Sequence, residues 1–458
     1  MFDLKERFVA FKKKLRGSPS LIPELYDAIL REEWSRYDLL KYSFIRRKEI
    51  VTYAYNHCSF YKKYYDDNGF HPTQLITESD WEKVPIIIKK DIKDNYDKLI
   101  SDDVPQGIGR IKSTGGSTGT PLKVLSDTRV SYYPILYRSL RWYNVSFASN
   151  YADVGRNVKP INFRHRFFRF LNSFPVRKMV LDASSITEKD LSNFCKKIDR
   201  VKPKYICGYA GTILNIARYI VENNIQVHKI DLIWTTSSPI SNLDRHILKK
   251  AFGGEIMDQY GSVEVSAIAM ESPEHIGLYV PDDYRYVEIV DDEYKLVEDG
   301  VYGNIVVTDF CNRVFPLIRY KNNDVSRKLT NKGIYPFTLI DSIKGRVSDY
   351  IITPSGRQVS GEYLTTIFDD YPDIISAFQV IQHKDYSLTI KYIPLSEGEI
   401  LTNSIENVNN SLKKVTNEEV LIDMIAVSEI KDELGKFRFV INELTGNLKS
   451  IQNKIDAS

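Results

Sequence analysis

The stretch "KIDLIWTTSSPISNLDRHILKKAFGGEIMDQYGSVE", residues 229–264, contains the pattern that decides the fold. Two short apolar runs, "IDLIWTT" and "GEIMDQY", lie on either side of "NLDRHILKKAFG", which repeats apolar residues at helical spacing. Short apolar runs bounded by turn residues are typical of strands. Strands that alternate with helices build a layered body, so the sequence predicts an α/β fold.

The segments on either side extend this prediction to the whole chain. Residues 20–66 and 185–225 repeat apolar residues at three- and four-residue spacing, which predicts helices. Residues 276–330 change to a β pattern, and a compact α+β stretch follows. We expect a large layered N-terminal domain of mixed β-sheets and helices, residues 1–344, and a small α+β C-terminal domain, residues 345–458.

Composition and charge exclude several classes of protein. The 458 residues favour two to three domains, and 43% hydrophobic with 12% aromatic residues is enough for a folded core. The formal net charge of +3, from 63 Lys and Arg against 60 Asp and Glu, is smaller than a nucleic-acid-binding protein usually carries. No apolar run approaches the roughly 18 residues of a transmembrane helix, so we expect none.

The cysteines argue against a structural zinc site. They form no CxxC pair and have no histidine at ligand spacing. Isolated buried thiols are the usual state of cysteine in a reducing compartment, so we expect a cytoplasmic protein. The four residues are Cys58, Cys195, Cys207 and Cys311.

The first residues, "MFDLKERFVAFKKKLRG", predict a short amphipathic helix. They lack the uninterrupted apolar stretch of a signal peptide. Two interpretations of this helix stay open: a solvated helix packed on the body of the protein, or a helix in contact with a membrane surface.

The loop "KSTGGSTGTPLKV", residues 112–124, has the composition of a phosphate cradle. Adjacent glycines let backbone amides turn inward, and serine and threonine hydroxyls add donors. The loop is not a Walker A motif, because Gly119 is followed by Thr120 where that pattern needs lysine. The loop also lacks the GxGxxG fingerprint of dinucleotide-binding proteins. By itself the loop is weak evidence for a phosphate site, and its composition alone favours an ordinary surface loop.

Five stretches in a fixed order carry a resemblance to a known family. They are "STGGSTGTPL" (113–122), "DQYGSVEV" (258–265), "FPLIRYKNNDV" (315–325), "IKGRVSDYIITPSGRQVSGEYL" (343–364) and "DELGKFRFVI" (432–441). Together they resemble the adenylate-forming ligases, which activate a carboxylate with ATP. The branch they are most similar to is the phenylacetate–CoA ligase-like proteins, including members of capsular polysaccharide biosynthesis. The resemblance spans about residues 36–441 and implies that the C-terminal domain is mobile.

The resemblance also implies a role for individual residues. In the family, such loops line the β- and γ-phosphates, a glutamate holds Mg²⁺, a tyrosine flanks adenine and an aspartate accepts hydrogen bonds from ribose. The corresponding nucleotide-binding residues here are Thr114, Ser117, Thr118, Gly119, Ser237, Ser238, Pro239, Tyr260, Gly261, Asp324 and Arg346. The implied metal ligand is Glu264, and Tyr209 and Ala210 fall where relatives build the acyl pocket.

Lys436 is the strongest single candidate for a catalytic residue, with Glu264 and Thr118 as its implied catalytic partners. A flexible point charge of this kind bridges the carboxylate and the α-phosphate. Two roles stay open for Arg319, a structural one and one in which it faces the phosphates. Thr120 stands where many relatives have lysine, so phosphate contacts there rest on backbone amides and hydroxyls.

The implied function is ATP-dependent formation of an acyl-AMP, with release of pyrophosphate and transfer of the acyl group. The implied cofactors are ATP and Mg²⁺, with CoA as one candidate acceptor and an amine or hydroxyl compound as the other. The implied partner is a small carboxylic acid, and no nucleic acid is expected. The alternative is a catalytically silent nucleotide-binding scaffold with the same fold.

Overall fold

The structure is a computed structural model of the chain. It describes residues 2–15, 21–105, 107–113, 122–130, 132–155, 174–183, 187–237, 240, 242–343, 350–355, 358–360, 364, 367–368, 371, 374–428, 430 and 440–444.

The chain divides into two compact units. The larger comprises Met1–Lys112, Lys123–Leu181 and Lys189–Gly345. The smaller comprises Ser113–Leu122, Asp182–Glu188 and Arg346–Ser458. The assignment of separate functions to residues 1–344 and 345–458 stays a prediction.

Helices form the first part of the larger unit, as the apolar spacing of residues 20–66 predicts. They are α1 (Leu4–Leu15), α2 (Leu21–Leu30), α3 (Arg36–His57), α4 (Ser59–Asp67), α5 (Lys89–Asp94) and α6 (Tyr96–Leu99), with 3₁₀ turns at Arg31–Glu33, Pro72–Gln74 and Glu78–Lys83. Ser35 begins α3 because its hydroxyl accepts a hydrogen bond from the amide of Asp38, which satisfies one free donor of the first turn.

A large mixed sheet follows. A separate pair, β1 (Gly109–Ser113) and β2 (Lys123–Asp127), precedes it, and α7 (Tyr133–Trp142) leads into it. Its strands are β3 (Tyr151–Gly155), β4 (Lys178–Asp182), β5 (Tyr205–Tyr209), β6 (Leu232–Thr236), β7 (Glu255–Tyr260), β8 (Ala269–Glu271), β9 (Leu278–Val280), β10 (Arg285–Val290), β11 (Tyr302–Asp309), β12 (Tyr320–Leu329) and β13 (Thr338–Ile340). Within the described residues the strand order is β10-β11-β12-β13-β9-β8-β7-β6-β5-β3-β4.

One half of this sheet is parallel. Strands β3, β5, β6 and β7 pair in parallel, with Tyr205 opposite Leu232 and Leu232 opposite Glu255. The connecting helices are α8 (Glu188–Val201), α9 (Ala210–Glu222) and α10 (Asn242–Phe252). The strand–helix–strand prediction for residues 229–264 is therefore confirmed.

The helical prediction for residues 185–225 is only partly right, because β5 lies between α8 and α9. This strand reads "YICGY", and its first two residues are buried. A buried parallel strand has no alternation of apolar and polar residues, so periodicity cannot distinguish it from a helix segment.

The other half of the sheet is antiparallel, as predicted for residues 276–330. Strand β11 pairs with β10 and with β12, and a register shift interrupts the second pairing between Asn304 and Val306. Strand β12 pairs with β13, and β13 pairs with β9, on the side of the sheet that leads to the parallel half. This order gives the sheet its mixed character and confirms the predicted α/β fold.

The smaller unit has its own sheet and core, which confirms a small α+β region at the C-terminal end. Its elements are β14 (Tyr350–Ile352), β15 (Gln358–Ser360), β16 (Ile375–Gln382), β17 (Leu388–Pro394), α11 (Glu399–Val415), β18 (Ile422–Ala426) and β19 (Val440–Asn442). Among the described residues, β16, β17, β18 and β19 form one sheet in the order β18-β17-β16-β19, and β14 pairs with β15. Val408 and Leu412 of α11 belong to the same buried cluster as Phe378 and Ile390 of the sheet.

Among the described helices, none combines the length and the apolar composition needed to cross a bilayer.

Candidate functional site

The carboxyl ends of the parallel strands meet at one edge of the large sheet. The registers place the ends of β3, β5, β6 and β7 side by side, at Gly155, Tyr209, Thr236 and Tyr260. Ligands of open α/β sheets bind in the crevice beyond these ends. Ser237, Tyr260 and Gly261 therefore lie where a ligand site is expected.

Tyr260 and Asp324 come together although 64 residues separate them in the sequence. The Tyr260 hydroxyl donates a hydrogen bond of 2.7 Å to Oδ2 of Asp324. The side-chain amide of Asn322 donates to the same hydroxyl at 2.6 Å, and its Oδ1 accepts from the Asp324 amide at 3.1 Å. All three residues are buried, so the network fixes the orientation of the Asp324 carboxylate.

Glu264 lies in the turn that follows β7. The Tyr320 hydroxyl donates to its Oε1 at 3.0 Å, and both side chains are buried. A second tyrosine thus holds a second carboxylate, and both pairs join the end of β7 to β12.

Gly261 has a steric reason to be glycine at the start of this turn. A Cβ atom at this position would lie 2.9 Å from the backbone nitrogen of Ala267. The Ser262 amide donates to the Val265 carbonyl at 2.9 Å, which closes the turn around Glu264. The conformation that presents Glu264 therefore depends on the absence of a side chain at residue 261.

Ser237 directly follows β6 and has a φ of 81°. This left-handed conformation is uncommon for a residue with a side chain and costs about 1 kcal/mol or more. The neighbouring Thr236 hydroxyl donates to the Gln259 carbonyl at 3.3 Å, and the Trp234 indole donates to Oε1 of Gln259 at 2.9 Å. These hydrogen bonds to β7 thus fix the end of β6, directly before the strained residue Ser237.

Arg319 has a structural role, which answers the question that the sequence left open. Its side chain is buried and forms a bidentate pair with Glu288, at 3.1 Å from Nε and 2.8 Å from a terminal nitrogen. The other terminal nitrogen donates to the carbonyls of Glu82 and Val84 at 3.0 and 2.6 Å. The guanidinium therefore joins β10 and the end of the 3₁₀ turn Glu78–Lys83 to the residue directly before β12.

Sequence reasoning assigned no role to Tyr320 or Asn322, although both lie in the quoted stretch "FPLIRYKNNDV". Their contacts depend on which strand faces which, and no spacing in the sequence encodes that. Asp258, two residues before Tyr260, was also missed. Burial and the charge of Glu271 raise the pKa of Asp258 to about 7.

Eight of the predicted site residues lie outside the described residues, so their roles stay predictions. They are Thr114, Ser117, Thr118, Gly119, Ser238, Pro239, Arg346 and Lys436. The predicted nucleotide- and metal-binding residues that the structure describes are Ser237, Tyr260, Gly261, Glu264 and Asp324. Tyr209 and Ala210, predicted for the acyl pocket, lie where β5 ends and α9 begins, and their role stays a prediction.

No cluster of three or more side chains able to bind a metal occurs in the part of the chain that the structure describes. Among the described residues, Glu264 is the one that the resemblance implies as a carboxylate ligand of Mg²⁺. One carboxylate with phosphate and water oxygens is the ligand set that Mg²⁺ commonly takes with nucleotides, so the donor set fits a magnesium nucleotide.

Comparison with solved structures identifies the class of fold. A 2-hydroxyisobutyryl-CoA ligase, solved in complex with 2-HIB-AMP and CoA in the thioesterification state, matches with a TM-score of 0.62. The match covers 93% of this chain and 94% of that chain at 15% identity. The protein has the fold of the adenylate-forming CoA ligases.

Sequence comparison identifies its relatives. Protein CapK of Staphylococcus aureus is 26% identical over 417 residues, which cover 89% of this chain and 90% of the relative. A phenylacetate–coenzyme A ligase of Pseudomonas putida is 26% identical over 324 residues, which cover 67% and 70%. The family model of the CapK C-terminal domain matches residues 351–443. The chain is a homologue of CapK and of the phenylacetate–coenzyme A ligases, which confirms the predicted resemblance.

Proposed function

We propose that this protein uses ATP to convert a carboxylic acid to an acyl-AMP, releases pyrophosphate, and then transfers the acyl group to an acceptor. Residues 1–344 would bind ATP and the acid. Residues 345–458 would act as a mobile domain that brings Lys436 to the reaction and then removes it.

The pairing of Asp324 with Tyr260 is the observation that carries this proposal. A buried carboxylate of fixed orientation at the carboxyl edge of the parallel strands suits the vicinal hydroxyls of a ribose. The Tyr260 ring, whose hydroxyl engages Asp324, would then flank the adenine. The two residues come from separate motifs, and their contact supports a single nucleotide site.

The charges of the reaction explain the remaining roles. The carboxylate attacks the α-phosphorus, so the site must hold two anions together and stabilise the charge that develops. Glu264 would hold a Mg²⁺ ion that neutralises phosphate oxygens. Thr118 and its neighbours would donate hydrogen bonds to the β- and γ-phosphates, and Lys436 would bridge the carboxylate and the α-phosphate.

The acceptor is either CoA or an amine or hydroxyl group. CoA is supported by the Pseudomonas putida relative, which is a phenylacetate–coenzyme A ligase. The resemblance to members of capsular polysaccharide biosynthesis instead favours an amine or hydroxyl on a building block of a surface polysaccharide, and Protein CapK is among the relatives of this chain. We place the reaction in the cytoplasm, where ATP is available.

Pyrophosphate release over a panel of carboxylic acids, with hydroxylamine to trap the acyl-AMP, tests the activation step. We expect Mg²⁺-dependent release with at least one class of acid and formation of its hydroxamate. Lys436→Ala should lower the rate about 10²–10³-fold, as removal of a single transition-state donor does in other enzymes.

A different pattern would favour the silent scaffold. If no acid gave pyrophosphate and Lys436→Ala bound ATP as tightly as the parent protein, the enzymatic proposal would fail. Once an acid is known, CoA and an amino sugar added in separate reactions distinguish the acceptors by the product formed, a thioester or an amide.

A further inference from the structure

The exposed face of α1 carries an unbroken apolar stripe. Leu4, Phe8, Phe11 and Leu15 are 86, 45, 57 and 70% exposed. Their spacing places them within an arc of about 60° on the helix surface, at about 100° of rotation per residue. Four large apolar side chains in one line are thus in contact with water, and such patches mark interaction sites.

Cationic side chains line both edges of this stripe. Helical rotation places Lys5 and Lys12 along one edge and Arg7 and Lys14 along the other. Lys5, Arg7 and Lys14 are exposed, whereas Lys12 is half-buried and donates to the backbone oxygen of Phe174 at 2.6 Å. Long cationic side chains beside an apolar surface can extend along it and place their charges at a polar boundary.

The acidic residues at this end of the chain are used in holding the helix. The Glu6 amide donates to Oδ1 of Asp3 at 2.7 Å, and the Asp3 amide donates to Oε2 of Glu6 at 3.0 Å. This reciprocal arrangement is a capping box. Glu6 is buried, and its Oε1 accepts from the Ser146 hydroxyl at 2.8 Å. The edges of the stripe on α1 itself are therefore positive.

The opposite face of α1 is fastened to the body of the larger unit. Ala10 belongs to a buried apolar cluster with Leu140 and other core residues. Lys13 Nζ donates to the Tyr137 hydroxyl at 2.6 Å and lies 3.5 Å from the centroid of the Tyr133 ring. Rotating the helix to bury its stripe would break these contacts, so the fold itself directs the stripe outward.

We propose that α1 is a membrane-docking helix, which lies in the plane of an anionic bilayer with its apolar stripe at the acyl boundary and its cations among the lipid headgroups. Two rows of cations on either side of one stripe match a flat anionic surface, which meets both edges at once. A protein groove would have to supply an acidic row on each wall. The exposed ring of Phe174, beside Lys12, widens the same apolar surface.

This proposal is independent of the ligase activity, because adenylation of a small acid needs no bilayer. Its consequence is that the protein works at a membrane surface while its fold stays outside the bilayer. An acceptor attached to a lipid would then be within reach.

Co-sedimentation of the full chain with vesicles tests the proposal. We expect binding to phosphatidylcholine vesicles that contain phosphatidylglycerol and little binding to phosphatidylcholine alone. The double variants Phe8→Ser with Phe11→Ser, and Lys5→Glu with Lys14→Glu, should each bind at least about tenfold more weakly. Raising the salt concentration from about 0.1 M to about 0.5 M should also weaken binding, because screening weakens surface electrostatics.

Matched changes elsewhere on the surface provide the controls. Ile76→Ser removes a side chain that is 75% exposed, and Lys332→Glu reverses an exposed charge. Both controls should bind like the parent protein, and thermal unfolding checks that every variant is folded. The proposal is wrong if the parent protein binds no vesicles, if it binds neutral and anionic vesicles equally, or if the α1 variants bind like the controls. Self-association that Phe8→Ser with Phe11→Ser abolishes, without vesicle binding, would assign the stripe to a second copy of the chain instead.

Discussion

At the scale of single residues, the candidate site consists of two buried carboxylates, each held by a tyrosine hydroxyl. Tyr260 donates to Asp324 and Tyr320 donates to Glu264. An acid that is oriented before a ligand arrives loses less conformational freedom on binding, and such preorganisation favours affinity. The tyrosines are therefore positioning residues for the two acids.

Tyr260→Phe tests this positioning. The change removes one hydroxyl, so Asp324 loses a donor and Asn322 loses the acceptor of its amide. We expect the dissociation constant for ATP to rise about threefold to tenfold, which corresponds to about 0.6–1.4 kcal/mol. Isothermal titration calorimetry with ATP measures this without knowledge of the carboxylic acid.

A second tyrosine–aspartate pair supplies the control. The Tyr302 hydroxyl donates to Oδ2 of Asp341 at 2.9 Å. Tyr302→Phe removes the same chemical group from a pair that contains no predicted site residue, so ATP affinity should stay unchanged. Equal effects of both variants would contradict a specific role for Tyr260.

At the scale of secondary-structure elements, β12 is the element that brings the site together. It carries Tyr320, Asn322 and Asp324 and reaches the end of β7 through side-chain hydrogen bonds. Arg319, directly before β12, contacts Glu288 of β10 and the carbonyls of Glu82 and Val84. This buried arginine fixes where β12 begins.

Arg319→Ala should therefore destabilise the larger unit strongly. The change leaves the buried Glu288 carboxylate and two carbonyls without their shared donor, and breaking a buried ion pair costs about 3–5 kcal/mol. Denaturant unfolding measures the loss as a lower transition midpoint. Arg327→Ala is the control, because its pair with Asp341 is partly exposed and should contribute at most about 1 kcal/mol. Equal losses in the two variants would contradict this account.

At the scale of the whole molecule, a half-buried acid, Asp258, makes global stability depend on pH. The Asp258 amide donates to Oε2 of Glu271 at 2.9 Å, and Arg245 pairs with the same glutamate. Burial and the Glu271 charge raise the pKa of Asp258 from 3.8 to about 7. Between these two values the folded state binds more protons than the unfolded state, so this residue lowers the free energy of unfolding as the pH rises.

Asp258→Asn removes this titration and keeps an acceptor for the Thr235 hydroxyl. The free energy of unfolding of the variant, relative to the parent protein, should therefore rise from pH 5 to pH 8, by about 3 kcal/mol. Denaturant unfolding at each pH measures the difference. Asp341→Asn is the control, because hydrogen bonds and Arg327 lower the pKa of Asp341. The difference in free energy of unfolding between this variant and the parent protein should therefore stay constant from pH 5 to pH 8. A difference that does not change with pH for Asp258→Asn would contradict the raised pKa of Asp258.

Some features followed from the sequence alone. The strand–helix–strand order of residues 229–264 is encoded in local periodicity, because the side chains of one element set its own pattern. The helices of residues 20–66 and the β pattern of residues 276–330 were predictable for the same reason. The order of the quoted motifs indicated an adenylate-forming ligase, because motif order along a chain needs no knowledge of contacts.

The tertiary structure alone decided which residues face each other. Asp324 meets Tyr260, and Tyr320 meets Glu264, only because β12 lies close to the end of β7. Arg319 has a structural role because Glu288 lies opposite it. The stripe on α1 faces outward because Lys13, on the opposite face of the helix, donates a hydrogen bond to Tyr137. These outcomes depend on burial and on contacts between residues that are far apart in the sequence. Local periodicity contains no information about such contacts, so the sequence pattern could not predict them.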